Sequence, residues 1–133
     1  MTTVPLTLLF AGCCALVQCA LTAWVIRRRA QTGIYFLDGG DEPLMRRVRA
    51  HGNFAETAPM ALLLMALLEI SGLGRAWLIT LGVSLLLGRL LHAQSMLNPG
   101  PAWRRLGGMG LTLAVISIEA ALALWLFFVG GNL

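Results

Sequence analysis

Arg49, Asn53 and Glu56 stand at positions i, i+4 and i+7 of one apolar stretch, and Arg89 and His92 at i and i+3 of another. Each set therefore shares one face of a helix. A guanidinium grips a carboxylate through paired hydrogen bonds, a carboxylate takes an ammonium, and an imidazole donates or accepts near neutral pH. With Arg46 and His51, these are seven polar groups in stretches that otherwise read as soluble in hydrocarbon. An ionised side chain facing lipid costs at least about 2.5 kcal/mol, so such groups turn toward protein or ligand and mark a site by default.

The elements that must position them are membrane helices. The 133-residue chain is 58% hydrophobic and 12% charged, whereas soluble domains carry about 25% charged residues. Residues 1–26 hold no charged side chain, enough to cross a hydrocarbon core of about 30 Å. The expected class is an all-α membrane protein, one domain over 1–133, with four transmembrane helices at about 5–26, 44–70, 76–97 and 105–129. Gly72 and Gly74 end the second span, Asn98 to Pro101 the third, and Gly130-Gly131 the fourth. Asp41 and Glu42 followed by Pro43 open the second, because acidic groups and an early proline favour a helix N-terminus.

The net charge of +4 comes from ten basic residues, all Arg, and most flank apolar runs. That pattern fits membrane-helix flanks and contacts with anionic lipid head groups, and no soluble basic domain is present to hold nucleic acid. Loops one-two and three-four contain Arg27, Arg28, Arg29, Arg46, Arg47, Arg104 and Arg105, against Arg75 alone in loop two-three. By the positive-inside rule the Arg-rich side is cytoplasmic, which puts both termini on the non-cytoplasmic side of a multi-pass inner membrane protein. "FAGC" at Phe10 to Cys13 resembles a lipoprotein cleavage box, but Met1 to Phe10 lacks a basic residue and the apolar part is short, so the first span is expected to be retained.

Depth joins the two polar sets. Counted from the cytoplasmic end at 1.5 Å per residue, Arg46 lies about 3 Å into the second span, Arg49 about 8 Å, Asn53 about 14 Å and Glu56 about 18 Å. The third span runs the opposite way, which returns Arg89 to about 12 Å and His92 to about 8 Å. Glu56 and Arg89 can then neutralise one another, within one chain or between subunits. A purely architectural role accounts for one such pair, since polar contacts between membrane helices average about 0.6 kcal/mol. It accounts poorly for seven polar groups in one half of the bilayer.

Other polar residues have simpler expectations. Glu69 is expected to pair with Arg75 at the outer rim. Glu119 lies near the middle of the fourth span, either protonated, hydrogen-bonded to Ser117 or Ser84, or at a subunit contact. Trp24, Trp77, Trp103 and Trp125 sit toward span ends as an aromatic belt. Cys13, Cys14 and Cys19 lie in the first span without metal-ligand spacing, and two His without a thiolate or carboxylate cluster make a poor site, so no metal is expected. His51 faces away from the Arg49 stripe, as a helix-contact residue does.

"RVRAHGNFAETAPMALLLMALLEISG", followed by "LLLGRLLHA", resembles the MAPEG superfamily of small four-helix membrane proteins, which includes microsomal glutathione transferases and leukotriene synthases. The likeness is greatest to the bacterial branch, whose pattern is R-x-H-G-N-x-x-E-Y-x-P, and it covers nearly the whole chain. The resemblance implies a left-handed four-helix bundle assembled as a homotrimer, with glutathione as co-substrate bound between subunits toward the cytoplasmic side. It carries glutathione binding onto Arg49, Asn53 and Glu56, with His51 as a further polar contact and Arg89 and His92 beside them. An Arg at the start of the fourth span, Arg104 or Arg105, is implied to stabilise the thiolate. The implied activity is glutathione transfer to, or glutathione-dependent reduction of, a lipophilic small molecule. The chain departs from the pattern at Thr57, where the family has Tyr, and at His92 and Met96, which are Tyr in eukaryotic enzymes. Two rivals are a non-catalytic member that holds a lipid or another anionic ligand, and a small multidrug-type exporter that uses Glu56 for proton coupling.

Overall fold

The computed structural model describes residues 4–98 and 100–130. Four helices follow one another: α1 (Pro5–Thr32), α2 (Glu42–Ile70), α3 (Arg75–Leu97) and α4 (Ala102–Gly130). All four are long and apolar enough to cross a membrane, and no strand occurs among the described residues. The protein is thus an all-α, four-span membrane protein.

Local chemistry sets the helix ends. α1 continues past the apolar run through Arg27–Arg29, since nothing there breaks a helix, and stops at Gly33, whose φ of 69° is left-handed and whose N–H reaches Arg29 O. At the start of α2, the Asp41 side chain accepts from Leu44 N at 2.7 Å, and Pro43 occupies the first turn. Arg28 donates to the same carboxylate through Nε and Nη2 at 3.0 and 2.6 Å, which ties the two helix ends together. Those hydrogen bonds hold the Asp41 carboxyl below its ordinary range.

α2 and α3 form the centre, with α1 and α4 on either side of them and out of contact with each other among the described residues. Phe54, Ala58, Ala61 and Met65 of α2 meet Leu78, Leu81 and Leu85 of α3 in the core. α3 and α4 approach closely at Gly88 and Gly108, where a Cβ on Gly108 would lie 2.6 Å from His92 N and 2.8 Å from Gly88 O. Small residues of this kind let membrane helices pack backbone to backbone. Trp24, Trp77, Trp103 and Trp125 all point outward, as a lipid-facing belt requires.

At the opposite end, Glu69 does not pair with Arg75. Its carboxylate accepts from Leu6 N at 3.0 Å, Thr7 N at 2.8 Å and Thr7 Oγ1 at 2.7 Å. The unpaired amides at the start of α1 offer an anion several donors and the positive end of a helix dipole. A single exposed guanidinium competes poorly with that arrangement.

Candidate anion-binding site

Near the Arg-rich end, α2, α3 and α4 form an open-sided cavity of about 360 Å³ lined by Arg49, Asn53, His92, Met96, Arg105, Leu106 and Met109. Each helix sends its share from one face: Arg49 and Asn53 are four apart on α2, His92 and Met96 four apart on α3, and Arg105 and Met109 four apart on α4. Two guanidinium groups, a carboxamide and an imidazole thus meet around one space, and no carboxylate among the described residues lines it.

Arg89 stands behind this wall, with none of its surface exposed. Its Nη2 contacts His92 Nδ1 at 3.3 Å, and its Nη1 donates to Thr112 Oγ1 at 3.4 Å and reaches Met109 Sδ at 4.0 Å. The guanidinium also lies 5.7 Å from the centre of the Phe54 ring. Every one of these partners is neutral, and Nε has no partner among the described residues. The Glu56 carboxylate acts on it only from beyond ion-pair distance, and a buried cation without a contacting counter-charge is costly. Its field reaches the cavity through His92 and Met109, so an anion there would compensate it.

The Glu56–Arg89 pair is not formed within the chain. Among the described residues the ion pairs are Arg28–Asp41 and Arg46–Glu42. Glu56 is exposed on the outer side of α2, because the buried side of that helix is taken by Ala50, Phe54, Ala58 and Ala61. Arg46 spans one turn to Glu42 at 2.6 Å and does not line the cavity. His51 is turned toward α1, where its Nε2 lies 2.8 Å from Gln18 Nε2, so it acts as a helix contact in this chain.

The structure separates the two arginines that open α4. Arg105 lines the cavity, whereas Arg104 lies over the Trp103 ring at 5.5 Å. Thr57, in place of the pattern's tyrosine, donates to Asn53 O at 2.9 Å and remains bound to its own helix. Asn53 Nδ2 donates to Arg49 O at 3.1 Å, which leaves its carbonyl oxygen as the free acceptor. Sequence reasoning missed Met109 and Thr112 as neighbours of Arg89. Their spacing from Arg105, i+4 and i+7, places them on its face and was the available signal.

Glu119 is fully buried, and neither of its oxygens has a partner among the described residues, so no bond from Ser84 or Ser117 reaches it. It lies seven residues beyond Thr112, about 10 Å farther along α4, and belongs to no part of the cavity.

The model of the MAPEG family matches residues 7–128. Two curated relatives, both called Inner membrane protein YecN, come from Escherichia coli strain K12 and strain O6:H1; each is 33% identical over 118 residues, which cover 88% of either chain. No solved structure matches significantly. With a family match over nearly its whole length and four membrane-spanning helices, this chain belongs to the MAPEG family.

Proposed function

We propose that this protein is an inner-membrane glutathione transferase or glutathione-dependent peroxidase, working as a homotrimer on lipophilic substrates. The observation that carries the reading is the convergence of Arg49, Asn53, His92 and Arg105 on one cavity, with Arg89 behind it making no ion pair and no carboxylate in the lining among the described residues. Glutathione brings two carboxylates and a thiol to such a place. Arg49 grips a carboxylate, Asn53 offers an acceptor to an amide N–H, and His92 donates to the ligand from the ring atom that Arg89 leaves free.

Arg105 stabilises the thiolate. A free thiol titrates near 8.5 and is mostly protonated at neutral pH, and a guanidinium within hydrogen-bond reach favours the anion. In conjugation the sulfur lone pair forms a C–S bond as the leaving group departs with the electrons of its own bond. In peroxide reduction the same lone pair forms an S–O bond as the O–O bond breaks, the alkoxide leaves with those electrons and takes a proton, and the resulting sulfenic acid condenses with a second glutathione to give the disulfide and water.

What one chain leaves bare supports an oligomeric reading. Arg49 and Glu56 are exposed on α2 at membrane depth. A second copy against α2 removes them from lipid, supplies the wall the cavity lacks, and lets Glu56 meet the ligand's ammonium or a partner cation. The inner-membrane location draws on the relatives' name, and the orientation with both termini outside draws on the arginine asymmetry.

The test is calorimetric titration of the detergent-solubilised protein with glutathione, alongside the ultraviolet absorbance of its thiolate. Binding with a lowered thiol pKa is expected, and a folded oligomer that does neither sinks the reading. A second reading, a non-catalytic lipid-binding member, is favoured by an apolar groove of about 300 Å³ between α1 and α2, lined by Cys14, Phe54, Ala58 and Pro59 among others. Native mass spectrometry with lipid retained and glutathione absent would select it.

A further inference from the structure

The segment between α1 and α2 leaves three consecutive large apolar side chains bare. Tyr35, Phe36 and Leu37 are 73%, 87% and 86% exposed, more than any of the outward-facing tryptophans. The backbone that presents them is firmly held. Arg29 Nη1 donates to the carbonyls of Ile34 and Leu37 at 3.1 and 3.0 Å, Gly40 N donates to Asp38 Oδ1 at 3.1 Å, and Arg28–Asp41 closes the base.

Leu37 is held at a φ of 53°, a left-handed conformation that residues other than glycine, asparagine and aspartate seldom adopt. Ile34 folds inward against Gly39, where a Cβ would come within 2.9 Å of Ile34 Cδ1. One apolar residue therefore anchors the turn while the next three point outward, Leu37 against local backbone preference. Strain kept by several independent bonds is a feature of sites that do something.

Depth and charge say what covers these side chains. Arg47 Nη1 donates to Trp24 O at 2.9 Å, which puts the start of α2 level with a belt tryptophan. Arg29, which holds the turn, is five residues past Trp24, about 7.5 Å farther out along the helix. The head-group layer occupies the space between a core of about 30 Å and a full thickness of about 40–45 Å. Half of that difference, about 5–7.5 Å, lies on each side, so the turn hangs at the outer part of the head-group layer, within reach of it for large side chains. Asp41 and Glu42 are already paired with Arg28 and Arg46, which leaves Arg27, Arg29 and Arg47 against Asp38. The surplus is positive.

We infer that the α1–α2 turn is an interfacial anchor: Tyr35, Phe36 and Leu37 enter the leaflet on their own side, and the surrounding arginines hold the phosphates of anionic phospholipids. Apolar insertion and basic attraction reinforce each other in such anchors. The inference is independent of glutathione binding.

Photocrosslinking tests it in the full chain. A benzophenone amino acid replaces Phe36, and the protein is reconstituted into vesicles of phosphatidylethanolamine with phosphatidylglycerol, or into vesicles of phosphatidylcholine alone. The same probe at Trp24 serves as the positive control. The expected product is a protein–phospholipid adduct, with a yield several-fold higher in the phosphatidylglycerol vesicles and lowered by Arg27→Gln or by high salt. A crosslinked protein pair would mean that a second copy covers the turn, and an absent adduct with a working Trp24 control would mean that it stands in water. Either result overturns the inference.

Discussion

Arg89 Nη2 and His92 Nδ1 lie 3.3 Å apart, one turn along α3, where both residues are buried. A guanidinium has only donors, so His92 Nδ1 must offer its lone pair. The ring is then neutral with its proton on Nε2, and His92 enters the cavity wall as a hydrogen-bond donor. Nitrogen-15 spectra of the labelled protein should show that single tautomer at neutral pH. In Arg89→Met the preference should disappear and glutathione affinity should fall at least tenfold. Thermal stability should hold, because Met fills the space and removes a buried charge that makes no ion pair among the described residues. A mixed tautomer in the parent protein would refute the assignment.

Arg105 and Arg104 should differ sharply despite being neighbours. Arg105→Ala removes a guanidinium from the cavity wall, and kcat/KM for glutathione-dependent turnover should drop about 100-fold, equivalent to about 2.7 kcal/mol of charge-assisted bonding. Arg104→Ala removes a cation lying over Trp103 and should change turnover less than threefold. Equal effects would place the activating group elsewhere.

Glu69→Ala should destabilise the fold by about 1–2 kcal/mol, the usual worth of a helix cap. Three donors at the start of α1 lose their acceptor together. Thr7→Val removes one of the three and should cost less, and Arg75→Ala should be close to neutral. Heat denaturation in detergent ranks the three variants.

Acid should loosen the α1–α2 junction through Asp41. Its carboxyl is held below the ordinary range by the Arg28 hydrogen bonds, so the folded state binds the proton more weakly than the unfolded state. The stabilisation is fully present above the unfolded value of about 3.9 and is lost as pH falls through the lower folded value. The thermal midpoint of the parent should therefore approach that of Asp41→Asn as pH falls from about 5 to about 2. A gap that stays constant over that range would contradict the linkage.

Gly108→Ala should disrupt the site from outside it. The new Cβ would meet His92 N at 2.6 Å and Gly88 O at 2.8 Å, both of them backbone atoms that cannot rotate away. α3 and α4 must then separate, at a cost of about 1–3 kcal/mol for overpacking. Glutathione affinity should fall along with stability. Gly107→Ala, with open space around its Cβ, is the control.

The primary sequence by itself determined the four spans, the Asp41 and Pro43 start of α2, and the shared faces of Arg49 with Asn53 and of Arg89 with His92. Hydropathy and the 3.6-residue period suffice for these, because both are properties of a single helix. Depth counting also brought Arg49 level with His92 and Asn53 close to the level of Arg89, since antiparallel spans share a common scale in a bilayer. What periodicity leaves open is the rotation of each helix against its neighbours. Packing left Glu56 exposed and out of ion-pair contact with Arg89, sent His51 to Gln18, put Arg105 rather than Arg104 on the cavity, and gave Glu69 to the amides of α1 instead of Arg75. Tertiary packing made these choices through contacts such as Gly88 on Gly108, where the missing side chains let two backbones meet at only one angle.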